Sequence, residues 1–138
     1  MSKLKSELSK SNPYWIPKHR YYELQHFCRL YPIWVKARRS LDSLYSKPVE
    51  LAIFKTNEHD DPTVKCVEAR EKYTRLIYMV DKAAEKTSSA YSEFIILGVT
   101  EGVTYDAMYS KYHADLPSRQ TYYNLYRKFF WILSQMRE

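Results

Sequence analysis

Six side chains between residues 119 and 128 have the hydrogen-bonding groups that recognise nucleic acid. They lie in the stretch SRQTYYNLYRKFF (residues 118–130), which interleaves polar groups with aromatic rings. Arginine can donate two parallel hydrogen bonds to guanine, whereas glutamine and asparagine match the donor and acceptor of adenine. Tyrosine and lysine can contact phosphate oxygens. The six candidate DNA-contacting residues are Arg119, Gln120, Tyr123, Asn124, Arg127 and Lys128.

The spacing of these residues predicts a helix with two different faces. At about 100° per residue, Gln120, Asn124 and Arg127 project to one side, with Trp131 among them. Trp131 is expected to pack within its own domain, against the N-terminal helices or against a second subunit. An opposite arc of about 120° holds the side chains expected to face the core: Tyr122, Leu125, Tyr126, Phe129, Ile132, Leu133 and Met136.

The elements that must position this helix are two shorter helices before it. The first, SSAYSEFIILGV, is expected to end at Gly102. The second is expected to begin with Thr104 as its N-cap, and the third with Ser118 as its N-cap after a turn at DLP (residues 115–117). Two short helices followed by a longer one predict a helix-turn-helix unit over residues 87–138.

The N-terminal region also has helical periodicity, so the predicted fold class is all-α. A first stripe comprises Tyr21, Leu24, Phe27, Cys28 and Tyr31, and Pro32 should end or kink that helix. The segment 33–45 resumes the period with Ile33, Val35, Ala37, Leu41 and Leu44. Residues 14–86 are therefore predicted to form a helical N-terminal and oligomerisation region, preceded by a flexible basic arm at residues 1–13.

A long helix is predicted to join the two regions. Asp61 is its expected N-cap, Pro62 its first residue, and it should run to about Lys86. Its apolar face is expected to comprise Val67, Tyr73, Leu76, Ile77, Val80 and Ala84. The segment Val49–Phe54 before it fits either a short helix or an irregular apolar plug.

Composition narrows the function classes. The 138 residues carry a net charge of +6, which favours nucleic acid or an acidic surface as a partner. Only two glycines are present, too few for a phosphate-binding glycine loop. His26 and Cys28 do not share a helical face, so no metal site is predicted. The spacing of the residues indicates no catalytic Cys/His or Ser/His pair, so neither a cofactor nor an enzymatic activity is predicted. Because neither a signal peptide nor a membrane span is apparent, a cytoplasmic location is expected.

A resemblance to a known family rests on residues 96–133, ILGVTEGVTYDAMYSKYHADLPSRQTYYNLYRKFFWIL. This stretch resembles the C-terminal part of small phage regulators of the RinA/ArpU type, which are late-gene activators with a sigma-factor-like helix-turn-helix. The resemblance implies activation of phage structural or lysis genes in the host bacterial cell, through double-stranded DNA and contact with host RNA polymerase. It assigns DNA contacts to Arg119, Gln120, Tyr123, Asn124 and Arg127.

Two alternatives stay open at this point. A phage packaging protein that recognises the start site for a terminase also uses a small helix-turn-helix, in a ring of many subunits. A helical adaptor could instead bind host RNA polymerase without contacting DNA. A DNA-binding regulator is expected to be a homodimer, because one short helix reads only a few base pairs.

Overall fold

Residues 12–45 and 62–138 are described by a computed structural model, and their regular structure is helical throughout. The predicted all-α fold class is therefore confirmed for these ranges. The helices are α1 (Lys18–Arg29), α2 (Tyr31–Tyr45), α3 (Pro62–Thr87), α4 (Ser92–Glu101), α5 (Tyr105–Tyr112) and α6 (Arg119–Met136). None of these helices is long and apolar enough to cross a lipid bilayer.

Some predictions fall outside the described ranges and stay predictions. They are the basic arm, apart from its last two residues, the nature of Val49–Phe54, and the role of Asp61 as an N-cap.

Proline sets two of the helix boundaries. The first helix ends at Arg29, and α2 begins at Tyr31 with Pro32 as its second residue, which confirms the predicted break. A proline in the first turn loses no hydrogen bond, since the first N–H groups of a helix have no intrahelical acceptor. For the same reason Pro62 opens α3, which ends at Thr87, one residue beyond the expected end.

The described chain divides into two compact units. One unit comprises Met79–Glu138 and the chain before Tyr31, and the other is Tyr31–Tyr78. This division does not follow the predicted boundary between residues 86 and 87. The reason is that α1 packs against α4 and α6, so the N-terminal helix belongs to the core of the C-terminal unit.

The smaller unit corrects two sequence predictions. Ile33, expected in the apolar stripe of α2, is 59% exposed, whereas the neighbouring Trp34 is 6% exposed. Burying the larger indole turns Ile33 by about 100° away from the covered face. Val67 was likewise expected on the buried face of α3 but is 38% exposed. Within this unit Arg70 of α3 forms an ion pair with Asp42 of α2.

The larger unit has a core of aliphatic and aromatic side chains. Helix α1 contributes the predicted stripe of Tyr21, Leu24, Phe27 and Cys28, all of them buried. Tyr31, the fifth member of that stripe, is only half-buried and begins the next helix. The last turns of α3 contribute Val80, Ala83 and Ala84, and α4 contributes Ile95 and Val99. Helix α6 supplies the largest share, with Tyr122, Tyr126, Phe129, Phe130 and Leu133.

Close packing between α4 and α6 depends on Gly98. A Cβ atom at this position would overlap the hydroxyl oxygen of Tyr122. The Tyr122 side chain is 1% exposed, so it has little room to move away. Glycine in a helix interior is unfavourable by about 1 kcal/mol relative to alanine. Gly98 therefore lowers the helical propensity of α4 and in return allows α6 to pack directly over it.

The Gly98 contact predicts a non-additive pair of substitutions. Gly98→Ala should destabilise the protein by about 1–3 kcal/mol, the usual range for an overpacked core. In a Tyr122→Phe background the overlapping oxygen is absent, so the same substitution should be neutral or stabilise by up to about 1 kcal/mol. Urea unfolding of the four proteins, followed by circular dichroism, measures this coupling. Equal costs of Gly98→Ala in both backgrounds would contradict the proposed contact.

Candidate nucleic-acid interface

The start of α6 is fixed by hydrogen bonds on both sides of the turn. Thr104 caps α5 by accepting from the N–H of Ala107 at 3.2 Å, and Ser118 caps α6 by accepting from the N–H of Thr121 at 3.2 Å. Both predicted N-caps are confirmed. The hydroxyl of Tyr105 donates to the carbonyl oxygen of Pro117 at 2.7 Å. Because this bond joins α5 to the last turn residue before α6, the two helices are held in a defined geometry.

The buried face of α6 is rotated relative to the sequence prediction. Tyr122, Tyr126, Phe129 and Leu133 are buried as predicted, but Leu125, Ile132 and Met136 are only half-buried. Phe130 takes their place and is 1% exposed. The buried arc is therefore turned by about 45° toward Phe130. The physical reason is α1, whose Tyr21 ring packs edge-on against the Phe130 ring with centroids 5.0 Å apart.

The opposite face of α6 carries the predicted polar groups. Gln120 and Asn124 are exposed, and Arg127 and Lys128 are half-buried. The Arg127 Nη1 group donates to Asn124 Oδ1 at 3.1 Å. This bond uses the amide oxygen of Asn124 and leaves its NH₂ group as a donor, whereas the Nε atom of Arg127 is buried. Three of the six candidate residues, namely Gln120, Asn124 and Arg127, thus form one continuous hydrogen-bonding surface.

Tyr123 and Arg119 lie at the edge of that surface. The half-buried ring of Tyr123 contacts the rings of Tyr105, Tyr122 and Tyr126 at centroid distances of 5.2–6.4 Å. Arg119 forms an ion pair with Asp106, and its guanidinium carbon lies 4.9 Å from the centroid of the Tyr105 ring. The hydrogen bond that Arg119 donates to Asp106 raises the pKa of the Arg119 guanidinium above its ordinary value.

Asp106 and Tyr105 were not among the candidate residues. An acidic residue in the first turn of a helix is ordinarily interpreted as a partner of the helix dipole. Its contact with Arg119 crosses the turn between α5 and α6, so helical periodicity within one element gives no indication of it. Only the folded turn brings the two side chains together.

The C-terminal half of α6 is partly covered on its outward side. Trp131 lies on this side and is half-buried, as the expected packing within its own chain requires, with the Tyr14 ring edge-on against it at 5.5 Å. Arg20 of α1 donates to the hydroxyl of Ser134 at 3.0 Å and to its carbonyl oxygen at 2.8 Å. Because these contacts cover the outward side near Trp131 and Ser134, most of the exposed polar face lies in the first three turns of α6.

Other reactive groups of the described chain do not assemble into a second site. Burial raises the pKa of the Cys28 thiol, although Arg137 and Arg29 lower it in part, so this thiol stays protonated. His26 is exposed while Cys28 is buried, so the two side chains do not converge. Across residues 12–45 and 62–138, no three His, Cys, Asp or Glu side chains are grouped closely enough to hold a metal ion.

Comparisons with protein-family models, with curated protein sequences and with solved structures gave no match for this chain. The likeness of residues 96–133 to phage late-gene regulators therefore stays an expectation from the sequence. The interpretation of the α6 surface depends on its own geometry and charge.

The buried tyrosines of α6 predict a loss of stability at alkaline pH. Burial raises the pKa of Tyr126 from 10.0 to about 12 and raises that of Tyr122 as well. Between these values the unfolded chain releases a proton that the folded protein retains. The free energy of unfolding should therefore fall between about pH 10 and 12, by about 1.4 kcal/mol per pH unit for Tyr126 alone.

Urea unfolding at a series of pH values, followed by circular dichroism, measures this effect. Tyr126→Phe should show a shallower decline than the parent, because phenylalanine has no proton to release. Tyr78→Phe is the matched control, since Tyr78 is 61% exposed. Parallel pH curves for the parent and Tyr126→Phe would show that the Tyr126 hydroxyl has the same pKa in the folded and unfolded protein, which would contradict the prediction.

Proposed function

We propose that this protein is a sequence-specific DNA-binding regulator of transcription that places the N-terminal half of α6 in the major groove. The observation that supports this proposal is the polar face of α6: Gln120 and Asn124 are exposed and Arg127 lies beside them on one uninterrupted helix. These are the side-chain types that distinguish adenine and guanine by their major-groove edges. The opposite face is anchored in the core, so this surface is presented by a rigid element.

The dimensions of the surface are consistent with base reading. Gln120 and Arg127 are seven positions apart, which corresponds to about 10 Å along a helix. Successive base pairs are separated by about 3.4 Å, so one copy of α6 would read about three base pairs. Such a short site is too frequent in a genome to be specific. We therefore propose that the protein acts as a homodimer on two half-sites.

The charge of the chain supports the same proposal. A net charge of +6 attracts the phosphate backbone, and Lys128 beside the polar face is suited to contact it. The late-gene activator type of regulator, with host RNA polymerase as a further partner, is proposed on the resemblance of residues 96–133. The DNA contact of α6 and the role as a late-gene activator are separate proposals, and each can be tested without the other.

Substitution of Asn124 tests the DNA contact. A duplex selected from a random library with the wild-type protein serves as the specific probe, and an unselected duplex as the nonspecific one. Asn124→Ala should weaken binding to the selected duplex by about 5- to 100-fold in a gel-shift assay, the value of one good base contact. Binding to the unselected duplex should change little, and the circular dichroism spectrum should be unchanged.

Gln135→Ala provides a matched control on the same helix. Gln135 is an exposed amide that lies eleven positions after Asn124, on the same side but about 16 Å further along. Its removal should leave both affinities unchanged. Failure of the library to yield any preferred sequence would contradict specific DNA recognition. Weak, salt-insensitive binding to every duplex would instead favour an adaptor that binds protein.

A further inference from the structure

The ion pair between Asp106 and Arg119 has an unusual location for a DNA-binding surface. Asp106 lies in the first turn of α5 and Arg119 is the first residue of α6, at the edge of the polar face. Their side chains are 74% and 56% exposed, respectively. An exposed carboxylate next to a duplex repels phosphate oxygens, so general electrostatic attraction does not account for an acidic residue at this position.

The contact does account for how the Arg119 side chain is restrained. One Nη2 hydrogen bond goes to Asp106 Oδ1, and the guanidinium carbon Cζ lies over the Tyr105 ring, 4.9 Å from the ring centroid. A free arginine has many rotamers and loses that freedom when it binds a base. Restraint in the unbound protein removes part of this loss, and the guanidinium still retains most of its N–H donors.

The support beneath Arg119 is itself rigid. Tyr105 is 6% exposed, and its hydroxyl donates to Pro117, which directly precedes the N-cap of α6. Ring contacts with Tyr122 at 5.6 Å and Tyr123 at 6.4 Å join Tyr105 to the helix that carries Arg119. Asp106 follows Tyr105 in the chain, so both groups that hold the guanidinium are fixed to the same turn.

We propose that Asp106 is a positioning residue for base recognition, which orients Arg119, together with the Tyr105 ring, for bidentate hydrogen bonding to a guanine. The inference rests on the proposed function, because it assigns Arg119 to a base contact on DNA. A guanine is favoured over phosphate because a restrained, planar fork matches the paired O6 and N7 acceptors of that base. Asp106 then determines specificity although it does not contact DNA itself.

Neutralising Asp106 separates this role from a purely electrostatic one, because the two roles predict opposite effects. If the carboxylate only repels phosphate, Asp106→Asn should strengthen binding to selected and unselected duplexes by the same factor. If the carboxylate positions Arg119, the variant should bind unselected DNA slightly more tightly but discriminate less well. The ratio of the two affinities should fall by roughly three- to tenfold, part of the value of a bidentate contact.

Asp115→Asn is the matched control. Asp115 is exposed in the connection between α5 and α6, so its neutralisation changes the net charge of the same region equally. This variant should leave the ratio of affinities unchanged. Arg119→Ala should lower the ratio at least as much as Asp106→Asn, and the double variant should be no worse than Arg119→Ala alone.

A position-resolved measurement distinguishes positioning from general damage to the fold. Library selection with Asp106→Asn and with Arg119→Ala should relax the preference at the same guanine and retain the preference at the other positions. An unchanged affinity ratio for Asp106→Asn, or relaxed preference at every position, would overturn the positioning role while the proposed function stands. Absence of any preferred sequence for the wild-type protein would overturn both.

Discussion

The arrangement of the larger unit depends on the close approach of α4 and α6, where Tyr122 packs over Gly98. Any side chain at residue 98 would overlap the tyrosine hydroxyl, so the absence of a Cβ sets the separation of the two helices. That separation lets Tyr122, Tyr126 and Phe129 enter the core together with the aromatic residues of α1. The orientation of α6 about its own axis follows from this packing, and with it the side chains that α6 presents to solvent.

Which part of the outward side of α6 is exposed depends on the neighbouring residues that pack over it as well as on its own side chains. Tyr14 and Arg20 cover part of the outward side of α6 near Trp131 and Ser134, whereas Gln120 and Asn124 stay exposed. Nitrogen-rich groups are therefore concentrated at the end of α6 next to the turn. The same turn is held by Tyr105, so the stability of the fold and the geometry of the surface depend on shared contacts.

Much of this arrangement was predictable from the sequence because it depends on local rules. Helical periodicity identified α1 and α6, and side-chain capping identified Thr104 and Ser118. Periodicity could not identify which neighbour covers each flank. For that reason Phe130 was missed in favour of Leu125, and Ile33 was expected in a core that contains Trp34 instead. Contacts between distant elements, such as Asp106 with Arg119, have no signature in the spacing of either helix.

If the first turns of α6 contact base edges, the side-chain amides of Gln120 and Asn124 should change their environment when DNA binds. Their NH₂ resonances can be followed by ¹⁵N–¹H correlation spectroscopy while a selected duplex is added. We expect both to shift on binding, with the amide of Gln135 unaffected. Binding of the duplex that leaves the Gln120 and Asn124 amides unchanged would place the DNA elsewhere on the protein and exclude base contacts by α6.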